Sequence, residues 1–240
     1  MDYKSTRNGL LNTEKAIYPG IGQFEVPEIL PLEVDPEDIG GRETVGFNYI
    51  WSEKHPEEKI LHCFLDDYQF ERVWRDPDKY IDRLRQFKYV IAPDFSLYTD
   101  HPKAVQIFNH YRKHWCARYW QEHGIKVIPC ICWSTPDSFE WCFDGEPHNS
   151  IVCVSTIGGF GNHGCDKEAW KTGYYQMYCK LNPSHVIIFG GRYKETEVGC
   201  PVSTIKNAQL VRKSTLSERP TGGVQILEHR ELEELEDGRT

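Results

Sequence analysis

The sequence predicts an α/β fold built on a parallel sheet of β/α units, a partial or complete TIM-like barrel, with an irregular N-terminal arm and a C-terminal tail. Three observations carry this. Apolar runs recur at residues 60–66, 88–94, 126–132, 151–156 and 185–190, each nearly continuous rather than alternating, as in strands covered on both faces. The segments between them are helical in pattern and long enough to cross over from one parallel strand to the next. The 240 residues are 39% hydrophobic, enough for one large domain with its own core.

The elements follow in order. Residues 1–43 are rich in Pro, Gly and Glu ("YPGIGQFEVPEILPLEVDPEDIGG") and read as an extended arm. The core domain covers 44–195. Its first regular stretch, "TVGFNYIW" at 44–51, is a candidate sixth strand, and "KILHCFLDD" is a buried strand that ends in two acids. "DPDKYIDRLRQF" reads as a helix, with Asp76 as cap, Pro77 in the first turn and Tyr80, Ile81, Leu84 and Phe87 on one face. After the strand "KYVIAPDFS" comes a long helix from near Pro102 to Gly124, with Phe108, Tyr111, Trp115 and Tyr119 as its apolar stripe. The strand "IKVIPCICW", a short helix "PDSFEWCF", the strand "SIVCVSTIGG", a helix bearing Trp170, Tyr174, Met177 and Leu181, and the strand "SHVIIFGG" complete the domain. Residues 196–240 read as an extension, with one strand or helix at "VQILEH" and a mobile acidic tail.

A net charge of −8 excludes a protein that grips a nucleic-acid backbone by bulk charge. It leaves room for a local basic groove or a single-nucleotide ligand. There is no signal peptide and no membrane span, so the expected compartment is the cytoplasm. The nine cysteines then read mostly as free, buried thiols.

In parallel α/β folds the ligand sits outside the carboxyl ends of the strands. The residues there are Asp66 and Asp67, then Asp94, Ser96 and Tyr98, then Cys132, Trp133 and Ser134, then Ser155 and Thr156, then Arg192. Asp94 closes "VIAPD" behind a proline, which constrains its backbone. It is the first candidate for a general base, nucleophile or anchor, with Asp67 as second carboxylate; the competing role for each is to cap a loop. Trp133 either stacks on a flat ring or lids the core.

"GFGNHG" at 159–164 matches G-x-G-x-x-G between a strand and a helix. It is not a Rossmann fingerprint. It follows a late strand, and the next strand ends "FGGRYKE" with no acid at its tip to hold a ribose. Two readings remain: a plain glycine turn, or a cradle of backbone N–H groups for a phosphate or base. Gly158-Gly159 and Gly190-Gly191 follow consecutive strands, as do the paired loops of a barrel's phosphate corner. The candidate ligand contacts are therefore Ser96, Trp133, Ser155, Gly158, Gly159, Gly161, Gly190, Gly191 and Arg192.

No metal site is assigned. Cys130 and Cys132 form C-x-C in a strand, without the two-residue turn of structural zinc sites, and Cys142, His163 and Cys165 add no ligand spacing. "NHYRKHWCARYW", with His110, Arg112, Lys113, His114 and Arg118, reads as a solvated helix face beside a core stripe.

The stretch from "APDFSLYTDHPKAVQIFNHYRKHWCARYWQEHG" through "IKVIPCICWSTPDSFEWCFDG" to "VSTIGG" resembles the domain of unknown function 4417 family of Firmicutes and their phages and mobile elements, over residues 45–191. That resemblance implies a mobile-element setting and brings no activity. A second stretch, "VCVSTIGGFGNHGCDKEAW" followed by "HVIIFGG", is similar to the late barrel segment of tRNA-guanine transglycosylases and their phage DNA-modifying relatives. That likeness implies that Gly158, Gly159 and Gly161 approach a 7-deazaguanine base, with Asp94 among the acids around it. The segment after Gly191 carries no Asp to match that family's nucleophile, and its zinc-binding cysteine pattern is absent. Two functions are carried forward: an enzyme that binds a nucleotide, nucleobase or modified base at the strand ends, or a non-catalytic scaffold that binds a host or phage protein or a nucleic acid.

Overall fold

Among the described residues seven parallel strands succeed one another in chain order, which brings their carboxyl ends to one edge. The computed structural model describes residues 11–157, 167–191 and 200–205. These belong to one compact unit, residues 1–208.

The arm opens with a two-stranded antiparallel hairpin, β1 (Gly20–Ile21) and β2 (Val26–Pro27). A single helical turn, α1 (Pro36–Ile39), follows; the Asp35 side chain caps it by accepting from the Glu37 N–H. Most of residues 11–43 is irregular, and it is held to the body. Val26, Ile29 and Ile39 are buried, and the Ile29 N–H donates to Gly145 O at 2.8 Å.

The first sheet runs in the order β3 (Thr44–Gly46), β4 (Ile60–His62), β5 (Tyr89–Ile91), β6 (Val127–Ile128). Between β4 and β5 lie α2 (Arg72–Arg75) and α3 (Asp78–Leu84). Asp76, the expected cap, stands two residues ahead of α3, and Pro77 precedes the first helical residue without a side-chain cap. α4 (Lys103–Glu122) crosses from β5 to β6, and Gly124 follows it with φ +77°, the left-handed stop a glycine supplies. The second sheet runs β7 (Ile151–Ser155), β8 (His185–Phe189), β9 (Val202–Ile205), and α5 (Lys167–Leu181) crosses from β7 to β8. Pro93 and Pro129 stand just beyond β5 and β6, where a missing N–H ends the ladder.

Among the described residues the backbones of the two sheets meet at one bridge. Cys130 bridges Cys153 in parallel, with the Ile131 N–H on Cys153 O and the Cys153 N–H on Pro129 O, both at 2.8 Å. Among the described residues β3 does not pair with β9, so the strand series is open there. β9 lies in the stretch read from sequence as a C-terminal extension, and "VQILEH" lies outside the described residues.

β7 and β8 are buried on both faces, and their alternation divides two cores. Ile151, Cys153, Ile187 and Phe189 join the core lined by β4, β5 and α4. Val152, Val154, Val186 and Ile188 pack with Trp170, Tyr174, Met177 and Leu181 of α5. No helix of the described residues is long and apolar enough to cross a membrane.

Candidate functional site

The carboxyl ends of β4, β5 and β6 bring three of the predicted residues together. Asp67 accepts hydrogen bonds from Ser96 Oγ at 2.8 Å and from the Ser96 N–H at 3.2 Å, which locks the loop after β4 to the loop after β5. Arg112 of α4 lies 3.8 Å from the same carboxylate, donates to Glu71 at 2.7 Å and stacks over Phe95 at 3.8 Å. Asn109 donates to Ser96 O at 2.7 Å. The loop that carries Asp94 is therefore fixed from three sides.

Asp94 itself is partly buried, with a thiol as its hydrogen-bonding neighbour: the Cys130 S–H donates to Asp94 Oδ1 at 3.7 Å. Burial pushes the Asp94 carboxyl up to about 6; the Lys113 ammonium opposes that rise and the Asp67 carboxylate adds to it. Burial likewise lifts the nearby thiols of Cys63, Cys130 and Cys153 well above their ordinary range, so all three are protonated and inert. On the neighbouring strand end His62 is buried against Phe189, ring centroids 4.5 Å apart, and burial pushes its pKa down to about 3. Its Nδ1 accepts from the Phe64 N–H at 3.2 Å.

Ser155, Thr156, Gly190 and Gly191 lie at the carboxyl end of the second sheet. Ser155 accepts from the Ile157 N–H at 3.1 Å, and its carbonyl accepts from Trp170 Nε1 at 3.2 Å. Thr156 Oγ1 accepts from the Gly191 N–H at 2.9 Å and clasps the ends of β7 and β8. Gly190 has φ +112°, and a Cβ there would stand 2.4 Å from Thr156 Oγ1, so this turn requires glycine. Trp133 lies against α5: a Cβ on Gly173 would fall 2.1 Å from its Nε1, and its ring is 5.5 Å from that of Trp170. Gly158, Gly159, Gly161 and Arg192, together with His163 and Cys165, lie outside the described residues.

Sequence reasoning missed the inner face of α4. The solvated face expected of "NHYRKHWCARYW" is overturned: His110, Arg112, Lys113 and His114 are all buried, while Phe108 of the expected core stripe is 40% exposed. The physical reason is pairing. Lys113 donates to Glu146 Oε1 at 2.5 Å and to Cys130 O at 2.9 Å. His114 Nδ1 is 2.8 Å from Pro27 O and its Nε2 3.1 Å from Glu146 Oε1. His110 Nε2 is 3.1 Å from Asp144 O. Gly145 makes room: a Cβ there would stand 2.7 Å from Pro27 O and 2.9 Å from His114 Nδ1. The available signal was an i, i+4 histidine pair beside Trp115, Cys116 and Trp120, which places it on a helix already committed to the core.

These features define an α/β protein with parallel strands, a carboxylate cluster at the strand ends and a buried charged helix face behind it. The chain belongs to the family described as Domain of unknown function (DUF4417), whose model matches residues 18–205. It is similar to the Gene 1 protein of Mycobacterium phage L5, 44% identical over 173 residues, which are 70% of this chain and 71% of that one. It is also similar to the Gene 1 protein of Mycobacterium phage D29, 33% identical over 197 residues, 78% of this chain and 69% of that one. Both relatives are phage proteins, the mobile-element setting that the resemblance implies. No solved structure matches the chain.

Proposed function

We propose that this protein is an enzyme that binds a nucleotide, nucleobase or modified base at the carboxyl ends of its strands, with Asp94 as its acid–base group. One observation carries the reading. A carboxyl lifted to about 6 gains and loses a proton near neutral pH, which is what general acid–base chemistry needs. Such a group also donates in one state and accepts in the other, matching the mixed N–H and C=O edge of a base. The strand order supports a barrel open between β3 and β9, because β7 and β8 turn one face into the core of the first sheet. The glycine-rich stretch 158–164 follows β7 in the sequence and offers the backbone N–H groups that this reading assigns to the ligand. The free thiols of Cys63, Cys116, Cys130, Cys142 and Cys153 suit the cytoplasm.

The test is a thermal-shift screen of the full chain against nucleotides, nucleobases and 7-deazaguanines, run beside Asp94→Asn. The expected result is a ligand that raises the Tm of the wild type in proportion to its concentration and leaves the variant unmoved. If no ligand shifts the folded wild type, the enzyme reading falls and the scaffold reading, with a protein or nucleic-acid partner, takes its place.

A further inference from the structure

His110 and His114 stand one turn apart on α4, and Glu146 faces them from the loop ahead of β7. One ligand atom from each side chain lies within 4.8 Å of the other two. A backbone carbonyl can only accept, so each ring can give a hydrogen outward, His114 Nδ1 to Pro27 O at 2.8 Å and His110 Nε2 to Asp144 O at 3.1 Å. With the hydrogens placed so, His110 Nδ1 and His114 Nε2 are the nitrogens left to bind an ion.

Glu146 completes the group: Lys113 donates to its Oε1 at 2.5 Å, and His114 Nε2 sits 3.1 Å from the same oxygen. His110 Nδ1 and Glu146 Oε2 are buried and have no hydrogen-bond partner among the described residues. Lys113 answers Oε1 alone, since its ammonium also donates to Cys130 O. The three side chains thus stand together in the interior with His110 Nδ1 and Glu146 Oε2 unanswered by any protein donor among the described residues, an arrangement that a bound cation would satisfy.

We infer that His110 Nδ1, His114 Nε2 and Glu146 form a site for a divalent transition metal of the zinc class. Two imidazoles and one carboxylate are a donor set that zinc takes, with a water in the fourth position. Each imidazole gives its outer N–H to a backbone carbonyl, the support that fixes ring orientation around a metal. Those carbonyls belong to Pro27 in the arm and Asp144 in the loop ahead of β7, so the ion ties both segments to α4. The site does not depend on the strand-end reading of Asp94.

The full chain is purified without a metal-affinity tag, dialysed and measured for metal by mass spectrometry, then stripped with a chelator and titrated with Zn²⁺ and Co²⁺. The expected result is about one ion per chain, a Tm that falls on stripping and returns with Zn²⁺, and a Co²⁺ spectrum of nitrogen and oxygen ligands. His110→Gln, similar in volume, is expected to weaken Zn²⁺ at least about tenfold. A folded wild type that takes up no Zn²⁺ at micromolar concentration overturns the site. So does a Co²⁺ spectrum with a thiolate charge-transfer band, which would put the ion on cysteines; that readout decides even if the variant fails to fold.

Discussion

The ammonium of Lys113 and the carboxylate of Glu146 meet at 2.5 Å with neither side chain in contact with solvent. Such a pair contributes little net stability, because desolvating two ions offsets most of their attraction, but removing one partner leaves a bare buried charge. The third contact decides the consequence. Lys113 also donates to Cys130 O, and Cys130 is the residue whose thiol reaches Asp94. The helix core and the strand-end carboxylate are thereby joined through one cation.

Lys113→Met is therefore expected to do two things. It should cost about 3–5 kcal/mol in urea unfolding at neutral pH, the usual penalty for stranding a buried partner. It should also raise the Asp94 pKa above its present value of about 6, because the one opposing positive charge is gone. Carboxyl carbon NMR of Asp94 follows the second effect. The double variant Lys113→Met/Glu146→Gln should recover part of the stability, a coupling that separates the ion pair from lost packing.

The second expectation concerns pH. The folded-state pKa of Asp94 is raised from 3.8 to about 6, so the folded state binds this proton more tightly than the unfolded chain. Its contribution is fully present below about 3.8 and is lost as pH rises through about 6. Asp94→Asn, neutral at every pH, should then be more stable than the wild type at pH 8 and equal to it near pH 4. Two pKa units correspond to about 3 kcal/mol at most, and the partial exposure of Asp94 reduces this to about 1–2 kcal/mol. Thermal melts of the two proteins across that range check it; a difference that does not change with pH would refute the shifted carboxyl.

What was legible in the sequence follows from what kind of burial each segment has. The strands at 60–66, 88–94, 151–156 and 185–190 showed because parallel strands covered on both faces carry nearly continuous apolar runs. β9 did not, because Ser203 and Thr204 are only half-buried and its run is short. The place of Asp94 at a strand end was legible because Pro93 closes the β5 run just ahead of it, and the hydrogen bond between Asp67 and Ser96 on neighbouring strand ends followed from parallel topology. The Lys113–His114–Glu146 cluster was not. A polar residue at helical spacing reads as solvent-facing, and only the Glu146 carboxylate, 33 residues from Lys113, makes burial affordable.

A third expectation tests the clasp between β7 and β8. Gly190 combines φ +112° with a Cβ direction aimed at Thr156 Oγ1. Gly190→Ala must strain the backbone and break the hydrogen bond from the Gly191 N–H, a loss of about 2 kcal/mol or more. Thr156→Ala in the same chain relieves the contact but not the φ, so the double variant should stay less stable than Thr156→Ala alone. Unfolding in urea measures both.

The last expectation locates Trp133. Its indole presses so close to α5 that a methyl at Gly173 would overlap Nε1. In an open helix, Gly→Ala stabilises by about 1 kcal/mol through backbone entropy. Here overpacking should win, so Gly173→Ala is expected to destabilise by about 1–3 kcal/mol and to shift the tryptophan emission as the ring is displaced. Adding Trp133→Leu should make Gly173→Ala neutral or stabilising. If Gly173→Ala is instead stabilising in the wild-type background, the ring stands free of α5 and is available to stack on a ligand at the strand ends, and the ligand screen should then be repeated with Trp133→Leu.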